Sequence, residues 1–294
     1  IDWKREQKAV ENEAKLGENG RFAPGLPKIS DGQQLFVLNG LAKLAEDGKM
    51  AIVQNGSPLF SGDAGSGPSN IRQYILENDW LDAIVQLSTD QFMNTGISTY
   101  IWVLTKGKPM HRSGKVQLID ASKCYEARRK PIGNKRVDIT EPCRNLIIKA
   151  YGEYCDKNYE ETIAEGKTVV CKSRRLDSVS LGYNKIVIES PTLDEDGNKI
   201  LKKGKPVPDT SKRDTESVPL DEDMDAYFAR EVWPFNPDAW IDKNKTKVGY
   251  EIPFTRTFYE YKQIEPADQI AKRIEFREQS LMLKVNKLLG KAGD

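Results

Sequence analysis

The sequence predicts an α/β chain, the second half of a doubly wound sheet followed by a mixed α+β tail that ends in a long helix. Apolar runs of strand length alternate with helical periodicities over the first 120 residues, which implies a mostly parallel sheet covered on both faces. The first strand and glycine-rich turn that normally open such a domain do not occur in this stretch. Beyond Ala121 the alternation gives way to polar, Pro- and Gly-rich segments, and the last segment has one apolar helical stripe.

Each element has its own signal. Ser30-Asp31-Gly32-Gln33 has the S-x-x-Q form of a capping box, and Leu35, Leu38, Leu41, Ala42 and Ala45 follow at helical spacing until Gly48. Met50 to Gln54, closed by Asn55-Gly56, reads as a buried strand, and Ile71 to Glu77 as a helix turning Ile71, Tyr74 and Ile75 inward. Ala83 to Leu87, Tyr100 to Leu104 and Val116 to Ile119 are strand-like. No helical pattern separates the last two, so they are expected to add antiparallel strands at the sheet's edge.

Further on, Pro142 to Tyr154 predicts a helix, with Thr140 placed to cap it and Leu146, Ile147, Ala150, Tyr151 and Tyr154 on one side. Lys185 to Ser190 reads as a strand, Asp194 to Asn198 as a turn, and residues 199 to 213 as a loop or loose hairpin. A helix is expected at Glu222 to Val232, then an aromatic-rich irregular stretch from Trp233 to Tyr261. Ala267 to Leu289 places Ile270, Ile274, Leu281, Val285 and Leu288 on one stripe, a pattern that invites a partner helix. The expected divisions are therefore 1–120, 121–265 with a polar loop near 191–217, and 266–294.

Composition narrows the chemistry. A formal charge of +1 gives no whole-chain field for polyanions, so any nucleic-acid contact must come from local patches. The single histidine, His111, sits in a charged segment and reads as a solvated loop residue, which disfavours His-based catalysis. Cys124, Cys143, Cys155 and Cys171 form no C-x-x-C pair, so no metal site is expected and a reduced, cytoplasmic setting is the simplest reading. No apolar run approaches the roughly 20 residues of a membrane span. The opening IDWKREQ has no initiator Met or lead-in, so an upstream segment is expected.

Four stretches are candidates for chemistry. SGDAGSGPSNIR, residues 61–72, is a glycine-rich loop before a helix, but it lacks the P-loop and dinucleotide spacings and reads as a loop beside a site. DEDG at Asp194 to Gly197 has its glycine at the wrong position for an EF-hand and reads as a turn. Lys199, Lys202, Lys203, Lys205, Lys212 and Arg213 read as solvated charge. QFMNTGISTYIWVLTK, residues 91–106, sets Phe92 beside the polar turn Asn94-Thr95-Gly96 at a strand end, where a planar ligand could stack and be read by hydrogen bonds, although by its residues alone Phe92 reads as core before platform.

GRFAPGLPKISDGQQLF, AIVQNGSPLFSGDAGSG, IRQYILENDWLDAIVQL, FMNTGISTYIWVLTK and GKVQLIDAS, in this order and spacing, closely resemble the modification (M) subunit of type I restriction-modification systems. DTESVPLDEDMDAYFAREVWPFNPDAWID and KVGYEIPFTRTFYEY resemble that subunit's carboxy-terminal region. The resemblance implies a class I methyltransferase (Rossmann-like) fold and transfer of a methyl group from S-adenosylmethionine to N6 of adenine in double-stranded DNA. It implies a DNA-specificity (S) subunit, a second M subunit and a restriction (R) subunit as partners, with no membrane involved. The family's cofactor loop and Asn-Pro-Pro-aromatic catalytic loop do not occur here, so no catalytic or cofactor-binding residue is assigned, and no cofactor is expected on this piece alone. IDWK resembles the family's segment immediately beyond the catalytic loop, which would put Ile1 directly after that loop.

The resemblance also gives Phe92, Asn94, Thr95 and Gly96 a role as one wall of a target-base pocket. A base is methylated only after it leaves the stack, and an aromatic face then holds it. Related adenine methyltransferases place such an aromatic between their sixth and seventh strands, the position Phe92 matches. The family usually has Glu where this chain has Pro68, a change that suits the first turn of a helix. The stripe of Ile270, Ile274, Leu281, Val285 and Leu288 would dock the specificity subunit. The alternative is a non-catalytic module in which residues 121–294 do the work by docking that subunit.

Overall fold

In the computed structural model, which describes residues 2–163, 166–261 and 264–290, helix α1 (Gln7–Ala14) leads through a loop to α2 (Gln33–Lys43). Leu35, Val37, Leu38 and Leu41 of α2 are buried, as the helical spacing predicts. The capping box does not form. Gly32 holds the cap position, and the Asp31 carboxylate takes the Gln33 side-chain amide at 2.8 Å. Gln33 reaches across to Asn55 instead of back to Ser30, its Nε2 lying 2.8 Å from Asn55 Oδ1.

Strand β1 (Lys49–Asn55), helices α3 (Ser57–Phe60) and α4 (Gly67–Glu77), and strands β2 (Leu81–Gln86), β3 (Thr99–Thr105) and β4 (Lys115–Lys123) come next. The hairpin β5 (Glu126–Ile132) and β6 (Lys135–Asp138), helix α5 (Glu141–Glu153), and strands β7 (Lys157–Thr162) and β8 (Thr168–Asp177) complete the first half. The main sheet has the order β1-β3-β2-β4-β8-β7. Three expectations are corrected here. β3 is antiparallel, but it lies between β1 and β2 and not at an edge, because a loop without a helix can only return the chain beside β2 in the opposite direction. β4 pairs parallel with β2. β1 is an edge strand whose Val53 is 49% exposed, not a buried one.

Side-chain details depart in the same way. Tyr74 lies on the outer side of α4, packed edge-on against Trp80 with ring centroids 5.1 Å apart. Thr140 precedes α5, yet its hydroxyl turns to Glu126 and Cys143 and makes no cap bond to the helix. Pro68 does sit in the first turn of α4. His111 is exposed with its ring edge on Tyr154. All four cysteines are free thiols; burial pushes Cys171 up to about 12 and raises Cys124 as well.

The tail builds a second sheet. β9 (Gly182–Glu189) is followed by the two-residue strands β10 (Leu201–Lys202) and β11 (Lys205–Pro206), β12 (Asp214–Pro219), α6 (Met224–Glu231), β13 (Trp240–Ile241), β14 (Lys247–Tyr250) and α7 (Phe254–Thr257). β12, β13 and β14 all pair antiparallel with β9. The stretch expected to be irregular thus contributes two short strands, too brief to show a period of two.

Contacts divide the chain into two units, Ile1–Phe258 and Tyr259–Asp294. The second unit is a helix with short flanks, α8 (Ala267–Leu288); Leu281 is 61% and Leu288 86% exposed. Phe276 and Leu283, one heptad apart and off the predicted stripe, are exposed too.

Arg72 of α4 joins the tail to the first half. The side chain is 1% exposed and has no carboxylate in contact among the described residues. Its Nε donates to Tyr250 O, and its Nη1 to Pro58 O at 3.1 Å and Ser61 O at 2.9 Å. Burial holds its pKa down at about 10, and the nearby Glu251 charge pulls the other way. Ser69 Oγ accepts the Tyr250 N–H at 3.0 Å, and Leu59 O accepts the Ile252 N–H at 2.9 Å.

Arg72→Leu should lower the unfolding free energy by about 2–4 kcal/mol, because three backbone carbonyls lose a charged donor in the interior. Arg72→Lys should restore only part of it, since an ammonium cannot match the guanidinium fork. Denaturant midpoints check this; a loss below about 1 kcal/mol would show that water takes over the carbonyls.

Candidate functional site

β1, β2 and β4 share one direction, so the loops after their carboxyl ends gather at one edge of the sheet. Ligands of open α/β sheets bind at such an edge. The loop after β2, residues 87–98, is closed at its base by the Leu87 N–H donating to Thr99 O at 2.8 Å. Phe92 and Thr95 form an antiparallel bridge with Met93 and Asn94 at the corners. Gly96 packs close to Asp90, whose Oδ1 would stand 2.7 Å from a Cβ there and would have to swing aside for any larger residue. Asp90 itself turns the chain with φ +56°. Phe92 is half-buried, Asn94 exposed, and Thr95 and Gly96 half-buried.

The β5–β6 hairpin clips onto this loop. Asn134 N–H donates to Met93 O and Arg136 N–H to Asp90 O, each at 2.9 Å. Gly133, with φ +58°, permits the approach, because a Cβ there would stand 2.5 Å from Met93 O. Two main-chain bonds therefore tie the turn that carries Phe92 to the hairpin tip.

A polar cluster lines the ends of β1 and β3. Asn55 N–H donates to Gln33 Oε1 and Ser57 N–H to Asn55 Oδ1, at 2.8 and 2.9 Å. Burial pushes the Asp31 carboxyl up, but bonds from Ser57 and Gln33 outweigh it and hold the group below its usual value. Gln54 Oε1 and Thr99 Oγ1 are buried and accept no hydrogen bond among the described residues. Tyr100 faces the core, stacked edge-on against Phe254 at 5.3 Å; Trp102 is fully buried. The arrangement sets an aromatic face beside polar groups, among them the Asp31 carboxylate, a combination that suits holding a planar group.

The glycine-rich loop, residues 61–72, is engaged within the protein. Three of its amides have partners: Ala64 N–H donates to Asp63 Oδ1, Gly65 N–H to Val248 O, and Ser66 N–H to Asp63 O. Asp63 is in turn held by Lys185 at 2.7 Å. The loop is thus a clamp between α4 and the tail sheet. Among the described residues no three His, Cys, Asp or Glu side chains gather as metal ligands would.

Sequence reasoning missed one buried charge cluster at the opposite edge of the sheet. Asp82 and Arg112 lie 2.8 Å apart as a charge contact whose geometry is not that of an aligned hydrogen bond. Tyr151 and Tyr154 sandwich the guanidinium at 4.4 and 4.1 Å. Burial, then the neighbouring Asp82, pushes the Tyr151 hydroxyl up to about 12. Its members are far apart in sequence, so no spacing could announce it, and it braces α5 against the sheet away from Phe92.

Comparison with known proteins finds relatives of this chain. The model of the family described as N-6 DNA Methylase matches residues 2–188. The chain is 26% identical over 140 residues to the type I restriction enzyme MjaIX methylase subunit of Methanocaldococcus jannaschii, covering 48% of this chain and 24% of that protein. It is 30% identical over 109 residues to the HindI methylase subunit of Haemophilus influenzae, covering 36% and 23%. A crystal structure of the type I restriction-modification methyltransferase subunit from Streptococcus thermophilus aligns with 55% of this chain and 30% of its own, at 26% identity and a TM-score of 0.44. The chain spans about a quarter of the length of the curated relatives it matches. Because the family model covers well over half of the residues, the chain belongs to the N-6 DNA methylase family.

Proposed function

We propose that this chain is part of the DNA-methylating subunit of a type I restriction-modification system. The intact subunit would transfer a methyl group from S-adenosylmethionine to N6 of adenine in double-stranded DNA. The observation that carries the reading is the family match over residues 2–188, joined to a half-buried Phe92 at the carboxyl edge of the sheet. The adenine amino group is a weak nucleophile because its lone pair is delocalised into the ring, and acceptors on its N–H bonds localise that pair towards the methyl donor. The family's Asn-Pro-Pro-aromatic loop does this, and this chain contains no Pro-Pro. The chain by itself is therefore inactive in this reading.

Its own residues hold the extruded base. Phe92 supplies one stacking face, and Asn94, Thr95 and Gly96 shape the turn that presents it. Residues 1–120 form half of the catalytic domain, 121–265 an extension, and 266–294 a docking helix. α8 would bind the specificity subunit through Ile270, Ile274, Leu281, Val285 and Leu288, within an assembly that includes a second M subunit and the restriction subunit. The exposure of Ile274, Leu281, Val285 and Leu288, and of Phe276 and Leu283 on the opposite side of α8, supports a helix that is covered by partners. The same exposure favours, as a second reading, a non-catalytic module that docks the specificity subunit. No helix among the described residues is long and apolar enough to cross a membrane. A cytoplasmic location fits a substrate of chromosomal DNA.

Phe92→Ala in the intact enzyme should reduce methylation about 10- to 100-fold, since stacking on an aromatic is worth about 1–3 kcal/mol per base. Cofactor affinity, measured by calorimetry on the same variant, should stay within a factor of about two of the parent. Parallel losses in both would instead make Phe92 a packing residue. Leu281→Glu with Val285→Lys should abolish co-purification with the specificity subunit, and an unchanged complex would refute the docking role of α8.

A further inference from the structure

We infer that the β5–β6 hairpin is a phosphate-contacting arm that grips duplex DNA beside the extruded base. This rests on the methyltransferase reading and goes beyond it, because it assigns the backbone contact to a particular element. The chain as a whole is nearly neutral, yet Lys123 to Arg136 holds six cations and one carboxylate. Part of that charge is neutralised within the hairpin. Arg128 makes a two-pronged bond to Asp138 at 2.7 and 2.6 Å, and Lys135 approaches the same carboxylate at 3.1 Å. Arg129, Lys130 and Arg136 are exposed and have no carboxylate partner among the described residues.

Position turns this charge into a specific expectation. The hairpin is fixed on the Phe92 turn by the Asn134 and Arg136 amides, so its cations cannot drift relative to the base-holding loop. Arg128, Arg129 and Lys130 also line a shallow cavity of about 430 Å³ with Glu126, Asp138 and Thr140. Arg128 is committed to Asp138 there, which leaves Arg129 and Lys130 for a ligand. Met93, Ile97 and Ile132 are exposed on the same loop and hairpin. A duplex presents anionic phosphates beside apolar sugar and base faces, and it matches this mixture of cations and apolar tips.

The basic residues of the β10–β11 hairpin provide the contrast. Lys202, Lys203 and Lys205 are equally exposed, but no described contact ties that hairpin to the Phe92 turn.

The test uses the complete methyltransferase assembly and a duplex carrying its target site, with affinity measured from about 50 to 200 mM salt. Replacing Arg129→Gln, Lys130→Gln and Arg136→Gln together should reduce the slope of log K against log salt by about 2 to 3, because each phosphate contact contributes about 0.9. The equal-charge control Lys202→Gln, Lys203→Gln and Lys205→Gln should leave the slope unchanged. An unchanged slope in the first variant, or equal losses in both, would overturn the proposal. A parent assembly that neither binds nor methylates DNA would instead defeat the methyltransferase reading itself.

Discussion

A single buried guanidinium organises the structure. Arg72 reaches the backbone after β1, through Pro58 and Ser61, and the last residue of β14, and it is charged in an interior that disfavours charge. Such a group is tolerated only where its donors are satisfied, so the three carbonyls and the guanidinium specify one another. The consequence is positional. The chain after β1 is held against α4, and the tail sheet is locked against both. The glycine-rich loop is therefore drawn into the clamp, with its amides turned to Asp63 and Val248.

Range decided which features were legible in the sequence. Local periodicity located α2, α4, α5, α6 and α8 and the first four strands of the main sheet, since a helix or strand in a core writes its own pattern. Strand order was not legible, because β3 enters between β1 and β2 by pairings no local pattern encodes. β7 and β8 escaped notice because their exposed faces carry charges such as Glu160, Glu161, Arg174 and Arg175. Caps were misread where a longer reach won: Gln33 found Asn55, and Thr140 found Glu126.

The candidate site divides in the same manner. Phe92, Asn94, Thr95 and Gly96 lie in one turn, so their proximity was given by the chain itself. The hairpin at Gly133 and Asn134 that buttresses the turn was invisible in sequence, because its contacts run through main-chain atoms. The buried, unsatisfied acceptors Gln54 Oε1 and Thr99 Oγ1 were equally hidden. Gln54 pairs with Tyr100 and Thr99 with Asn55 where β1 ends and β3 begins, and the two acceptors add polarity to an edge that sequence alone described only by one aromatic ring.

Among the described residues β1 pairs with β3 on one side only. Its outward-facing amides and carbonyls form a template, and an extended segment laid along them in the same direction would finish beside Asn55. A loop continuing from that segment would emerge at the same edge of the sheet as the loop after β2. The direction of one border strand thus determines where an added polypeptide would place its next loop.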